Sequence, residues 1–231
     1  METVSEVEIV SEVKAVPAWR QAGRGESRWP TVAAVAVAVG LQIALPTRFA
    51  PGHRLVPGLE LALLIGTVIG HPGRISGQSR WLRPVTLGLV AMITVSNAWS
   101  LVRLVQQIVR GQQDDGYALL TFGAAIWATN VIVFALWYWE FDRGGPVART
   151  DGVRGFPDFS FPQIQNPELA PPGWRSRFAD YLYVSFTNAC AFSPTDVMPL
   201  ARWAKMTMLG QSAVSLITVV LVIARAIGLL K

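Results

Sequence analysis

The chain has 231 residues, of which 52% are hydrophobic and only 15% charged. Soluble domains carry about 25% charged residues, so this composition excludes an ordinary soluble domain and indicates a membrane protein. A single Cys excludes a disulfide scaffold. Two His residues, His53 and His71, lack the spacing of a metal site, and neither a metal nor a cofactor is predicted.

The first 28 residues form a polar N-terminal tail. It begins METVSEVEIV, acidic before it is basic, and it has no continuous apolar core. A secretory signal peptide needs a basic start followed by such a core. We therefore predict a retained tail at residues 1–28.

Membrane helices are predicted from runs without Asp, Glu, Lys or Arg, because about 20 apolar residues cross a bilayer core. A charge-free run lies in each of the spans predicted at about 29–47, 84–109 and 116–139, and an apolar stretch that holds one carboxylate, Glu60, predicts a further span at 55–73. Together these spans form a four-helix membrane region over residues 29–141. A loop rich in Pro, Gly and aromatic residues follows at 142–179. Residues 180–231 then hold a short run, which Pro194 interrupts, and a final transmembrane helix.

This pattern predicts an all-α integral membrane protein with about five transmembrane helices and one short re-entrant or half-membrane helix. Placing the N-terminus inside puts twelve loop Lys and Arg residues in the cytoplasm, and only Arg48, Arg54 and Arg110 fall outside. The lipid bilayer is thus the predicted partner. Anionic lipid head groups, rather than nucleic acid, account for the net charge of +5.

Two charged residues fall within the predicted spans, Glu60 in the second and Arg103 in the third. A charge at bilayer depth costs about 3 kcal/mol, so it is normally paired or lines a cavity. Antiparallel neighbours place these positions at similar depth, which predicts an intramembrane Glu60–Arg103 ion pair. Two alternatives are a cation or proton site at Glu60 and snorkelling of both side chains to the interface.

Small residues in the final helix are candidates for close helix packing, within a subunit or between subunits. They are Gly210, Ser212 and Ser215. Small side chains allow helix backbones to approach each other in a membrane.

The segment from Asp180 onward reads DYLYVSFTNACAFSPTDVMPLARWAKMTMLG. This segment resembles the pore half of the tetrameric potassium-channel superfamily: an aromatic-rich short helix, a Thr-containing turn, an Asp, a Pro, a basic residue and a long helix. The resemblance implies a filter-like turn and a cation pore. The candidate residues of that turn are Thr187, Asn188, Ser193, Pro194, Thr195 and Asp196.

The five residues before Asp196 differ from the family's Thr-Val-Gly-Tyr-Gly filter. They contain no glycine, and Pro194 fixes φ near −65°. Backbone carbonyls in a potassium filter need the glycine conformations, so side chains would have to replace them here.

The motifs WYWEFDRGG, FPDFSF and SFTNACAFSPTD are also similar to an uncharacterised family of bacterial polytopic inner-membrane proteins. That resemblance implies a bacterial cytoplasmic membrane.

Topology and resemblance conflict, because the potassium-channel pore loop enters from outside and the arginine count places the 142–179 loop inside. Three alternatives stay open: one predicted span does not cross, or the segment after residue 180 enters from the cytoplasm, or it crosses as a short sixth helix.

Three functions follow as hypotheses. The first is a homo-oligomeric pore for monovalent cations that is built from the C-terminal segment. The second is a non-conducting membrane scaffold or accessory subunit of a larger complex. The third is a small-solute transporter that uses Glu60. No nucleophile, base and orienting residue can be assembled, so an enzyme is not expected.

Overall fold

The fold is described from a computed structural model, which covers residues 17–23, 25–49, 55–70, 82–112, 115–152, 156–193 and 196–229. The chain is mostly helical, which confirms the all-α prediction at this level. The described part contains the helices α1 (Trp29–Ala44), α2 (Leu55–Gly70), α3 (Arg83–Val109), α4 (Gly116–Phe141), α5 (Pro146–Thr150), α6 (Pro162–Gln165), α7 (Phe178–Ala191) and α8 (Arg202–Leu229), and the strands β1 (Phe159–Ser160) and β2 (Met198–Pro199).

Local sequence explains where three of the long helices begin. Pro30 and Pro84 occupy the first turns of α1 and α3, where the backbone N–H has no helical partner in any case. Asp115 caps α4, because its carboxylate accepts hydrogen bonds from the backbone N–H of Tyr117 at 2.9 Å and of Ala118 at 3.0 Å. The helices start within one residue of the predicted spans.

Helix α4 lies at the centre of the bundle. Helix α8 runs antiparallel to it: the Trp203 ring contacts Phe141 at one end, and Val222 faces Gly123 near the other. Helices α1, α3 and α7 also pack on α4, and α2 packs against α1 and α3. Because α4 has neighbours on several sides, its apolar residues extend all round the helix rather than along one face.

We call the end of the bundle at Phe141 the head end. Helices α1, α3, α7 and α8 all begin there. The described residues of 17–28, 142–177 and 197–201 form a headpiece over this end. In it, β1 pairs antiparallel with β2, and Phe159 lies opposite Pro199.

Helix α7 enters the bundle from the head end along α4. Tyr181 donates a hydrogen bond to Asp142 just beyond α4, Ser185 donates to the Val131 carbonyl oxygen, and the Phe186 ring contacts Trp127. These contacts progress in opposite directions along the two helices, so α7 is antiparallel to α4. Its 14 residues extend about 21 Å.

After α7 the chain returns to the head end, because β2 pairs with β1 in the headpiece. The described residues 178–193 and 196–199 therefore comprise a helix that enters the bundle and a segment whose far end lies on the side where the helix entered. This path does not match the third alternative, a short sixth helix that crosses, and it is compatible with the other two.

Within the described residues, three helices are long and apolar enough to cross a membrane by length and composition: Arg83–Val109, Gly116–Gly144 and Arg202–Leu229. Helices α1 and α2 are apolar but shorter. Arginines also separate by position. Near the head end lie Arg20, Arg28, Arg83, Arg143, Arg149, Arg175, Arg177 and Arg202, and towards the opposite end lie Arg48, Arg103, Arg110 and Arg225.

Candidate functional site

A buried ionic cluster joins the headpiece to the end of α4, and Asp142 is at its centre. The Asp142 carboxylate accepts hydrogen bonds from the Tyr181 hydroxyl at 2.6 Å and from the Asp158 backbone N–H at 2.9 Å. Arg143 Nε lies 3.4 Å from the same carboxylate, and both side chains are at most 3% exposed. Removing one partner of such a buried pair leaves an uncompensated charge, so the cluster holds the headpiece in one position.

Arg149 connects the N-terminal arm, which is the described part of residues 17–28, to the same ionic cluster. Its Nη1 donates to the carbonyl oxygens of Trp139 at 2.6 Å and Asp142 at 3.0 Å, and its Nη2 lies 3.1 Å from Glu26 Oε1. Burial alone lowers the pKa of the Arg149 guanidinium, but the acidic groups around it, Tyr181 first, raise that pKa above its ordinary value. Arg149 therefore stays charged although it is buried.

The chain leaves α4 through a turn of left-handed residues. Arg143 has φ 51°, and Gly144 and Gly145 follow with φ 81° and 97°. Hydrogen bonds from Arg143 to the Trp19 carbonyl oxygen at 2.7 Å and to Ser176 Oγ at 3.1 Å hold this unfavourable conformation. A Cβ at Gly145 would also lie 2.8 Å from the Glu140 carbonyl oxygen, so the turn requires glycine there.

A cavity of about 670 Å³ opens beside this cluster, within the usual range for small-molecule pockets. Its walls come from the N-terminal arm, the segment after α4 and the start of α7. Aromatic rings of Trp19 and Phe178 form part of the wall. Charged residues among the described lining are Arg143, Arg149, Arg175, Arg177 and one acid, Glu26. The cavity is therefore positively charged and suits an anionic ligand or partner.

A second polar network joins α4, α7 and α8 inside the bundle. Gln211 Oε1 accepts hydrogen bonds from the Tyr138 hydroxyl at 2.6 Å and from Asn188 Nδ2 at 2.9 Å. Gln211 Nε2 donates to the Ser185 carbonyl oxygen at 2.9 Å and to its hydroxyl at 2.7 Å. These four side chains are buried. The polar side chains of the pore-like segment thus form hydrogen bonds with other residues of the same chain.

The predicted filter-like residues do not share one environment. Thr187 donates to the Tyr183 carbonyl oxygen of its own helix at 2.9 Å, and Asn188 belongs to the Gln211 network. Ser193 and Asp196 are exposed. Pro194 and Thr195 lie outside the described residues.

The structure gives Glu60 and Arg103 different partners. Glu60 is fully buried, and its Oε1 accepts a hydrogen bond from Ser96 at 3.1 Å. Arg103 lies two turns further along α3, where it donates to the Arg48 carbonyl oxygen and to Gln106 Oε1. Similar depth was the basis of the predicted ion pair. The observed register of α2 against α3 brings Ser96 to Glu60 instead.

The predicted packing residues of the final helix divide into two groups. Ser215 accepts a hydrogen bond from Asn130 Nδ2 at 3.1 Å, and Ser212 lies 3.2 Å from Asn188 Oδ1. Gly210 is exposed, and a Cβ there would meet nothing within 4 Å. Close approach of α4 and α8 occurs at Gly123, where a Cβ would lie 2.7 Å from Val222 Cγ2.

Comparison of the chain with protein-family models, with curated proteins and with solved structures finds no match in any of the three. The functional interpretation therefore rests on geometry.

Sequence reasoning missed the residues of the ionic cluster. It counted Arg143 and Arg149 as loop arginines and did not pair them with Asp142 or Glu26. One signal was present: WYWEFDRGG places charges of both signs directly after aromatic residues at a span end. Charges beside large apolar side chains are more often buried and paired than charges in a polar loop.

Proposed function

We propose that the protein is a multi-pass membrane protein whose helices form a non-conducting base for the headpiece, as a scaffold or accessory subunit. Three long apolar helices support the membrane location. The arginines at the head end support a cytoplasmic headpiece, because cytoplasmic ends carry the excess of basic residues. By the resemblance noted above, the membrane is a bacterial cytoplasmic membrane.

The Gln211 network is the observation that carries the non-conducting part of this proposal. A conducting pathway needs carbonyls or polar side chains that face a water-filled axis. Polar groups of α7 and α8 instead bond to α4 and to each other. The outward faces of the two helices carry exposed apolar residues, among them Tyr183, Phe186, Leu209, Leu216 and Val220.

The headpiece is then the part of the molecule that acts. Its cavity is basic, and the ionic cluster around Asp142 holds its walls in place. A larger complex with an acidic surface or a small anionic ligand would meet complementary charge there.

A flux measurement tests the proposal. Purified protein in liposomes is expected to pass no more monovalent cation than empty liposomes. If the proposal holds, the exposed Asp196 lines no pore axis, so Asp196→Asn is expected to behave as the wild type. Cation flux above the empty control, changed by Asp196→Asn, would contradict the proposal.

A cation pore is the second candidate, and the path of residues 178–199 favours it. A helix that enters and a segment that leaves on the same side is the arrangement of a pore loop. In that case several chains would surround an axis, and a monomer by mass measurement would exclude it.

A further inference from the structure

A second pocket, of about 360 Å³, lies between the helices at the head end of α1, α3 and α4. Its upper part is charged: Arg28 and Arg83 line it together with Glu140. Apolar side chains form the lower part, among them Val35, Leu64 and Leu89. A charged mouth above an apolar floor is the shape that an amphiphilic molecule fills.

The hydroxyl groups of this pocket are already used. Thr31 donates to the Arg28 carbonyl oxygen at 2.7 Å, and Thr67 to the Leu64 carbonyl oxygen at 2.8 Å. Thr86 donates to the Leu82 carbonyl oxygen at 3.3 Å. Arg28 Nη1 donates to the Thr67 carbonyl oxygen at 2.6 Å and Arg83 Nη2 to the Glu140 carbonyl oxygen at 3.1 Å. The lining groups that remain to bind a ligand are therefore the other N–H groups of the two guanidinium groups and the Glu140 carboxylate.

One oxygen of the buried Glu140 carboxylate lacks a hydrogen-bond donor. Its side chain is 4% exposed and lies 3.7 Å from Arg83 Nε, and neither Glu140 Oε2 nor Arg83 Nε has a hydrogen-bond partner. A buried carboxylate oxygen without a donor is costly. A donor from a ligand would satisfy Glu140, and an acceptor from the same ligand would satisfy Arg83.

We infer that this pocket binds one phosphatidylethanolamine molecule, a site that rests on the proposed membrane location. The phosphodiester accepts hydrogen bonds from Arg28 and Arg83, and the primary ammonium donates to Glu140 Oε2. The pocket holds the head group and the first part of an acyl chain beside Val35, Leu64 and Leu89, and the rest of the lipid lies outside it. Phosphatidylcholine has the same phosphodiester, but its quaternary ammonium has no N–H to donate. The site therefore distinguishes these two lipids by a hydrogen bond.

Native mass spectrometry of the full chain, exchanged into equal amounts of the two lipids, tests this inference. The wild type is expected to retain one phosphatidylethanolamine about tenfold more than phosphatidylcholine, since one charge-assisted hydrogen bond separates them. Glu140→Gln removes the carboxylate charge and is expected to abolish the preference. The double variant Arg28→Gln/Arg83→Gln is expected to lose both lipids, whereas the control Arg103→Gln, far from the head end, retains them.

Equal retention of the two lipids by the wild type, or an unchanged preference in Glu140→Gln, would overturn the inference. If the double variant does not fold, thermal unfolding of the wild type decides, because phosphatidylethanolamine must raise its Tm more than phosphatidylcholine. Extraction of the membranes with alkaline carbonate distinguishes a failure of the lipid site from a failure of the proposed membrane location. A wild-type chain released from membranes would contradict the membrane location, whereas a retained chain without lipid preference would contradict the lipid site alone.

Discussion

The helices on the two sides of α4 differ in how far their buried polar groups have hydrogen-bond partners. Towards α7 and α8, the side chains of Tyr138, Ser185, Asn188 and Gln211 bond to one another, although Trp127 Nε1, beside Phe186 of α7, lacks a hydrogen-bond partner. Among the described residues of α1, α2 and α3, the buried atoms Gln42 Nε2, Glu60 Oε2, Asn97 Oδ1 and Gln107 Oε1 lack hydrogen-bond partners. A complete network stabilises one packing of the helices. Unmet polar atoms indicate where water, a ligand or another chain completes the structure.

Among the substitutions that test this difference, we expect the largest loss of stability at Gln211. Gln211→Leu removes the centre of the network and leaves the Tyr138 hydroxyl and the Ser185 carbonyl oxygen without this partner. We expect the free energy of unfolding in detergent to fall by about 3 kcal/mol, because each buried group left unpaired costs about 1–3 kcal/mol. Gln106→Leu on α3 is the control, since Gln106 is exposed. Equal losses in the two variants would show that the network does not stabilise the fold.

Gly123 and Gly210 test the packing on the same side. Gly123→Ala places a methyl group against Val222 and is expected to destabilise the protein by about 2 kcal/mol. Gly210→Ala meets open space and is expected to leave the Tm unchanged or slightly raised, because alanine favours helix.

Light scattering of the same two variants measures whether either substitution changes the oligomeric state. If Gly210 contacts a second copy of the chain, Gly210→Ala weakens that assembly without lowering the stability of the monomer. A lower monomer Tm in Gly210→Ala would contradict the packing described here.

The smallest effect is expected at Glu60, on the side with unmet polar atoms. Glu60→Gln keeps an acceptor for Ser96 and removes a buried charge, so the free energy of unfolding should stay unchanged or rise by about 1 kcal/mol. Glu168→Gln on the exposed surface is the matched control. A loss of more than about 2 kcal/mol would show that the Glu60 charge has a partner in the folded protein. If solute uptake exists and depends on Glu60, it would disappear in this stable variant.

Sequence alone predicted the helices well because their signal is local. Charge-free runs marked α1, α3 and α4 within a few residues, and prolines or a capping Asp115 explain their starts. Contacts between helices depend on register, which a single sequence does not contain. The predicted depth in the membrane put Arg103 beside Glu60, whereas in the structure the packing of α2 against α3 brings Ser96 to Glu60.

The head end was harder to predict for a different reason. Asp142 and Arg149 are seven residues apart, but Tyr181 and Glu26 lie far from both in sequence and meet them only because α4 ends where α7 begins and the N-terminal arm lies over that end. Each residue alone is typical of a solvated loop or a span end. The resemblance to a pore loop indicated a helix that enters and returns, but it did not indicate that Asn188 would bond to Gln211 of the same chain.

The path of α7 has a consequence for how the protein is made. When the ribosome has produced α7, its partners Gln211 and Met208 on α8 do not yet exist. A helix of 14 residues is too short to cross a bilayer alone, and Ser185 and Asn188 would enter it without α8 to bind. If the helices lie in a bilayer, we therefore expect α7 to pack beside α4 only once α8 has inserted, although α8 is synthesised after it.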